Sequence, residues 1–178
     1  VLADYDWAIA SFWQAISQNP ERLASMFERV ELSMDEWRHQ KSIYHNSTDD
    51  VFQQALSTLY LSRTCYSGNL GAGPVGGWGQ QGTYTIASRF YRETITARIR
   101  TLESVKDRIT AIHAPFEWTI ANCRTADVFF YADPPYPVVG DRLYRFSFKR
   151  EDHIILRDLI TEQENWLESN GDNESIRQ

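Results

Sequence analysis

The stretch Val128-Phe129-Phe130-Tyr131-Ala132-Asp133-Pro134-Pro135-Tyr136 decides how this chain is read. Its first five residues form an apolar run rich in aromatic side chains, which predicts a short buried strand. Two consecutive prolines cannot prolong it, because neither carries an N–H for the ladder. The chain is therefore expected to make a rigid turn at the strand's carboxyl end, where open α/β sheets bind their ligands. That turn gathers the carboxylate of Asp133, the backbone carbonyl of Pro134 and the ring of Tyr136 around one point. A Pro-Pro turn whose Asp merely caps the next segment is the plainer reading of the same residues.

On either side of this stretch the pattern alternates between strand and helix. Upstream, Ile109 to Ile112 reads as another short strand, with Phe116 to Asn122 as a crossover helix. Downstream, a long helix from Lys149 uses Ile155, Leu156, Leu159, Ile160 and Trp166 as its apolar face. Strand, helix, strand, helix is the order of a parallel α/β sheet. The last eight residues or so are polar and are expected to fray.

The first two thirds of the chain read mainly as helices. Ile9, Phe12, Trp13 and Ile16 recur at helical spacing after Asp4 or Asp6. Asn19-Pro20 supplies a cap and a first-turn proline for a second helix carrying Leu23, Met26, Phe27 and Val30. Ser33-Met34-Asp35-Glu36 has the form of a capping box and starts a third. Val51, Phe52, Ala55, Leu56, Leu59 and Tyr60 form the stripe of a fourth. Seven of the nine glycines then fall between Gly68 and Gly82, so residues 67–82 are a surface loop or hairpin. A further helix over Ser88 to Lys106 would turn Ile95, Ile99, Leu102 and Val105 inward. It would also group Arg89, Arg92 and Arg100 beside them. A solvated helix face is the plainer reading of those arginines.

At 178 residues, with 42% hydrophobic content and six Trp, nine Tyr and nine Phe, the chain is neither disordered nor low in complexity. Its apolar runs are too short to span a bilayer, and no secretory signal is visible. Cys65 and Cys123 are too far apart for a disulfide scaffold or a paired metal motif, so a reduced, cytoplasmic protein without a metal is expected. The net charge of −6 is unevenly spread. Residues 61–110 carry seven basic and three acidic groups, whereas residues 1–60 and 151–178 are both strongly acidic. A basic island of this kind suits contact with a polyanion.

The corner at Asp133 has the chemistry needed to alkylate a planar amine. Adenine's exocyclic nitrogen is a poor nucleophile, because its lone pair is delocalised into the ring. Two acceptors, Asp133 and the Pro134 carbonyl, would draw the nitrogen toward tetrahedral geometry. Tyr136 would stack on the base, as in enzymes that flip a base from the duplex. With a sulfonium as methyl donor, catalysis is positioning and electrostatics.

Phe129 to Tyr136, followed by Tyr144, Phe146 and Asp152-His153-x-x-Leu156, resembles the DNA adenine methylases of the Dam type. Leu61-Ser62-Arg63-Thr64-Cys65-Tyr66-Ser67-Gly68 is similar to that family's Asn-Arg-x-x-(Tyr/Phe)-Asn-Gly stretch, with Ser62 and Ser67 where Asn is usual. Ala3-Asp4-Tyr5-Asp6 resembles its Asn-Asp-x-Asn at the end of the second strand. The three places occur in the family's order over nearly the whole chain.

The resemblance implies an α/β fold, a partial Rossmann-like sheet with a helical target-recognition insertion. Residues 1–33 would begin the catalytic domain, 34–107 would form the target-recognition region, and 108–178 would complete the catalytic part. It implies S-adenosyl-L-methionine as cofactor, with Asp4 on the ribose and Asp133 touching both cofactor and target amine. Pro134, Pro135 and Tyr136 would complete the catalytic corner. For Asp4, an ordinary helix cap is the competing reading. Double-stranded DNA would be the partner of a monomer, contacted by Arg63, Arg89, Arg92 and Arg100, in a restriction-modification or phage setting.

Three departures accompany the likeness. Pro115 stands where the family has an acid near the cofactor's adenine, with Glu117 two positions later, and Phe116 or Trp118 could line that pocket or belong to the core. The glycine-rich segment also lacks the family's basic residues, since none occurs from 64 to 88. A Phe-x-Gly-x-Gly loop is missing, which leads to the expectation of a methylase piece that is inactive by itself. Tight cofactor binding by the isolated chain in isothermal titration would overturn that expectation. Methylation of an RNA base or a protein amide is a same-chemistry alternative, and a non-catalytic nucleic-acid-binding module is a different one.

Overall fold

The computed structural model describes residues 1–125, 127–136 and 145–169. The chain divides into two compact units, Val1–His113 and Ala114–Gln178.

The first unit opens with strand β1 (Leu2–Asp4), which pairs in parallel with β2 (Ala111–His113), Asp4 opposite His113. After β1 come four successive helices: α1 (Trp7–Gln18), α2 (Pro20–Arg29), α3 (Met34–Asn46) and α4 (Val51–Thr64). Their starts are dictated locally. Asp6, Asn19, Ser33 and Asp50 each accept a hydrogen bond from a first-turn amide, and Pro20 occupies the first helical position of α2. Because Asp6 caps α1, Asp4 is not spent on that task.

Helix α4 is central to this unit and is buried on nearly all sides. Its polar residues are satisfied inside: the Thr58 hydroxyl donates to the Ala8 carbonyl at 2.8 Å, and Ser57 donates to the Gln40 carbonyl at 2.7 Å. These bonds fix α4 to α1 and α3 at chosen registers while satisfying buried polar groups.

The helix expected over Ser88 to Lys106 is broken. Thr85 and Ser88 close a capping box around a single tight turn, Ile86–Arg89, and α5 then runs only from Arg92 to Thr101. Tyr91 between them is left-handed, at φ 31°. The cause is Phe90, which enters the core, stacking on Phe27 at 4.6 Å and edge-on to Tyr60 at 5.4 Å. Burying that ring is worth roughly 2–3 kcal/mol. This matches or exceeds the 1–2 kcal/mol cost, in order of magnitude, of a left-handed non-glycine residue. Arg92, just past the break, donates to the carbonyls of Phe27, Glu28 and Val30 at 2.6, 2.7 and 2.8 Å, closing the end of α2.

In the second unit α6 (Phe116–Asn122) covers the residues of the expected helix, and β3 (Phe130–Ala132) falls within the expected strand. However, β2 and β3 belong to separate two-stranded sheets, so α6 is not a crossover within one sheet. Helix α7 (Arg150–Thr161) packs on α6 through Ile120, Leu156 and Ile160, with Phe116, Phe130 and Phe148 around them. Trp166 is not on this helix. The helix ends at Thr161, and Trp166 begins strand β4 (Trp166–Glu168), which pairs in parallel with β3. An extended Trp166 lets the Asn165 carbonyl accept from Phe130 N–H at 2.9 Å, a ladder bond that a continued helix would forfeit. The expected frayed tail and Tyr144 lie outside the described residues.

Replacing Arg92 removes three charge-assisted bonds to a helix end. Arg92→Ala is expected to lower unfolding free energy by about 2 kcal/mol, measured from urea denaturation midpoints. A change under about 0.5 kcal/mol would show that the cap is ornamental.

Candidate active site

The Asp133 corner is built by the ladder and its abrupt end. After Ala132 the chain leaves β3, and the Ala132 carbonyl takes the Ser169 N–H at 2.9 Å from the residue just past β4. Pro134 is buried, Asp133 exposed, and Tyr136 presents 36% of its surface to solvent. Asp133 takes part in no ion pair among the described residues. One carboxylate oxygen, Oδ1, accepts a hydrogen bond from the Ser169 hydroxyl. Among the described residues the Pro134 carbonyl meets no donor. The corner therefore offers a carboxylate, a carbonyl and an accessible aromatic ring within four consecutive residues. Sequence reasoning missed Ser169, which sits in a polar stretch with no periodicity to mark it.

Asp4 ends β1. Its Oδ1 accepts the Asp6 N–H at 2.7 Å, which orients the carboxylate within the β1–α1 loop. Burial pushes its carboxyl above the ordinary value of 3.8, opposed by the Asp6 amide. Next to it, His113 ends β2 and donates from Nε2 to the Tyr5 carbonyl at 2.9 Å, its ring 5.4 Å from that of Trp7. An oriented, partly desolvated carboxylate at a parallel strand's carboxyl end fits a diol or an amine. Pro115 occupies the cap position of α6, Phe116 packs on Phe148 at 5.1 Å as core, and Trp118 is half exposed.

The glycine-rich segment is tied down as a closed loop. Cys65 and Pro74 form an antiparallel bridge, and the Lys41 ammonium donates to the carbonyls of Leu70 and Ala72. Gly76 is required at φ +80°, because a Cβ there would lie 2.0 Å from the Tyr84 carbonyl oxygen. Ser67, where the related motif has Asn, adopts φ 54°, a left-handed position that Asn also tolerates.

The four arginines expected on DNA separate into two kinds. Arg92 is spent on the end of α2, and Arg100 is paired with Glu21 at 2.8 Å and Glu28 at 2.9 Å. Both are drawn into the unit's own structure, and the break at Tyr91 removes Arg89 from their helix. Arg63 donates from Nε to the Arg89 carbonyl at 2.9 Å and lies over the Tyr91 ring at 5.9 Å. Its guanidinium is held below its ordinary value by burial first, then by the nearby positive charges of Arg89 and Arg98. No ion pair relieves Arg63, Arg89 or Arg98 among the described residues. Arg98, exposed on α5, was not among the residues that the sequence singled out.

A hollow of about 290 Å³ lies beside Val128 and Phe130 at the amino end of β3, with Arg124 and Glu162 to Glu164 around it. It is on the other side of the strand's run from Asp133. No helix among the described residues is long and apolar enough to cross a membrane.

An acid-proline-proline-tyrosine corner on a parallel strand, in a chain of mixed helices and strands, places hydrogen-bond acceptors and a ring where an amine could be held. The profile of the D12 class N6 adenine-specific DNA methyltransferases matches residues 1–178, and the chain belongs to that family. The family transfers a methyl group from S-adenosylmethionine to adenine in DNA. Membership thus selects DNA adenine among the acceptors that the tetrapeptide leaves open. No curated protein matches the chain.

Because its pKa is raised on folding, the Asp4 carboxyl stabilises the fold most when protonated, below 3.8, and less as pH rises through its elevated value. Asp4→Asn should therefore melt within about 2 °C of the parent at pH 7, or higher, yet bind S-adenosylmethionine more weakly in titration calorimetry. A lower melting temperature with unchanged cofactor affinity would make Asp4 a structural residue.

Proposed function

We propose that the full-length protein of this chain methylates the exocyclic nitrogen of an adenine turned out of double-stranded DNA, with the Asp133 corner as the catalytic centre. The observation that carries this reading is the corner itself, with its carboxylate and carbonyl acceptors beside an accessible Tyr136. Asp133 and the Pro134 carbonyl each accept one N–H of the amine, which localises its lone pair. Pro135 stiffens the turn, and Tyr136 stacks on the base.

S-adenosylmethionine, when bound, supplies a methyl group on a sulfonium. Transfer of that group would release a neutral thioether and leave the amine nitrogen with a surplus proton. An alkylated ammonium of this kind is a strong acid, so the Asp133 carboxylate suffices to take that proton. Asp4 would hold the ribose hydroxyls: it is a carboxylate oriented by one hydrogen bond and able to accept others.

A Rossmann-like character is read within each unit, supported by its own parallel pair, β1 with β2 and β3 with β4. Residues 34–107 act as the target-recognition region within a catalytic domain formed by 1–33 and 108–178, in a monomeric, cytoplasmic enzyme. Phosphate contacts fall to Arg63 and Arg89, joined by Arg98. Arg92 and Arg100, already engaged with carbonyls and carboxylates of their own unit, serve the fold instead.

Asp133→Ala should reduce single-turnover methyl transfer by roughly 100-fold or more with the melting temperature preserved. Full activity in that variant would remove the corner from the chemistry. For the arginines, Arg98→Ala should weaken binding to duplexes of any sequence and reduce the slope of log affinity against log salt by about 1. Fluorescence anisotropy between 50 and 200 mM salt, on the order of magnitude of ordinary buffers, measures it. An unchanged slope would exclude Arg98 from the DNA surface.

A further inference from the structure

We propose that Ser169 is the positioning residue for Asp133, its hydroxyl setting the rotation of the carboxylate that accepts the target amine. The inference rests on the reading of Asp133 given above. Ser169 grips the corner twice: its N–H donates to the Ala132 carbonyl at 2.9 Å, and its hydroxyl donates to Asp133 Oδ1. The first bond continues the β3–β4 ladder one step past Glu168, so the position of Ser169 is set by the sheet itself. The second transfers that rigidity to a side chain otherwise free to rotate about its terminal torsion, which is broad for a carboxylate.

An exposed carboxylate gains little stability from one neutral donor. Its orientation, however, decides whether an acceptor lone pair lies in line with an N–H of the substrate. The hydroxyl occupies one site on Oδ1, and Oδ2 meets no donor among the described residues. The carboxylate is thus held from one side with acceptor capacity left over. Ser169 touches neither the amine nor the methyl group in this account and acts only through Asp133.

Removing the hydroxyl leaves the ladder intact, since the bond to Ala132 uses the main chain. In the full-length protein, Ser169→Ala should lower kcat by roughly 10-fold to 100-fold, the scale expected for slight misplacement of a reacting group. KM for DNA and for S-adenosylmethionine should stay within about twofold, the signature of an interaction expressed mainly in the transition state. Ser169→Thr, which keeps the hydroxyl, should recover most of kcat.

A wild-type kcat in Ser169→Ala would overturn the proposal. So would equal losses in the Ala and Thr variants accompanied by a lowered melting temperature, which would show a packing role. If Asp133→Ala is inactive while Ser169→Ala is fully active, only the positioning role fails. If Asp133→Ala keeps full activity, the corner itself is not catalytic, and the proposal falls with it.

Discussion

The absence of two backbone N–H groups, at Pro134 and Pro135, is the constraint from which the site follows. Strand β3 can pair with β4 as far as Ala132, and no further on that pattern. The chain must turn at Asp133, at the carboxyl end of a parallel pair, where carbonyl ends and side chains collect. Asp133 is thereby exposed, Pro134 buried and Tyr136 left accessible, an arrangement an uninterrupted strand could not offer. Ser169 reaches the same point from the end of β4, so the two strands jointly frame one carboxylate.

In the first unit, packing sorts the basic residues by the partners they find. Burial of Phe90 breaks the chain at Tyr91 and sets Arg92 on the end of α2, while Arg100 is taken up by Glu21 and Glu28. Arg63, Arg89 and Arg98 remain as neighbouring like charges that make no ion pair among the described residues. Surface ion pairs such as those of Arg100 add little stability, but they consume charge that would otherwise face a polyanion. The basic island of residues 61–110 is accordingly smaller in effect than its count of cations suggests.

The parts of this molecule legible in the sequence are those fixed by neighbours along the chain. Asn19-Pro20 and Ser33 start α2 and α3 where their side chains require, and residues 116–122 form the short helix that their spacing predicts. The corner at Asp133 belongs to this class, because proline acts locally. What was not legible depends on distant partners. The break at Tyr91 exists because Phe27 and Tyr60 receive Phe90. Trp166 is extended because Phe130 needs a partner for its N–H. Ser169 stands in a polar run whose meaning appears only when β4 is laid beside β3. The roles of Arg92 and Arg98 likewise differ through tertiary contacts, although the two sit six residues apart on one helix.

The central claim is that catalysis needs an acceptor at position 133, beside the Pro134 carbonyl, to hold the amine. Single-turnover methyl transfer to duplex DNA by Asp133→Asn and Asp133→Leu tests it most directly, since both replacements are close in size and only Asn can accept a hydrogen bond. The account predicts a reduced but measurable rate for the Asn variant and none for the Leu variant. A Leu variant that transfers methyl groups at the parent rate would contradict it.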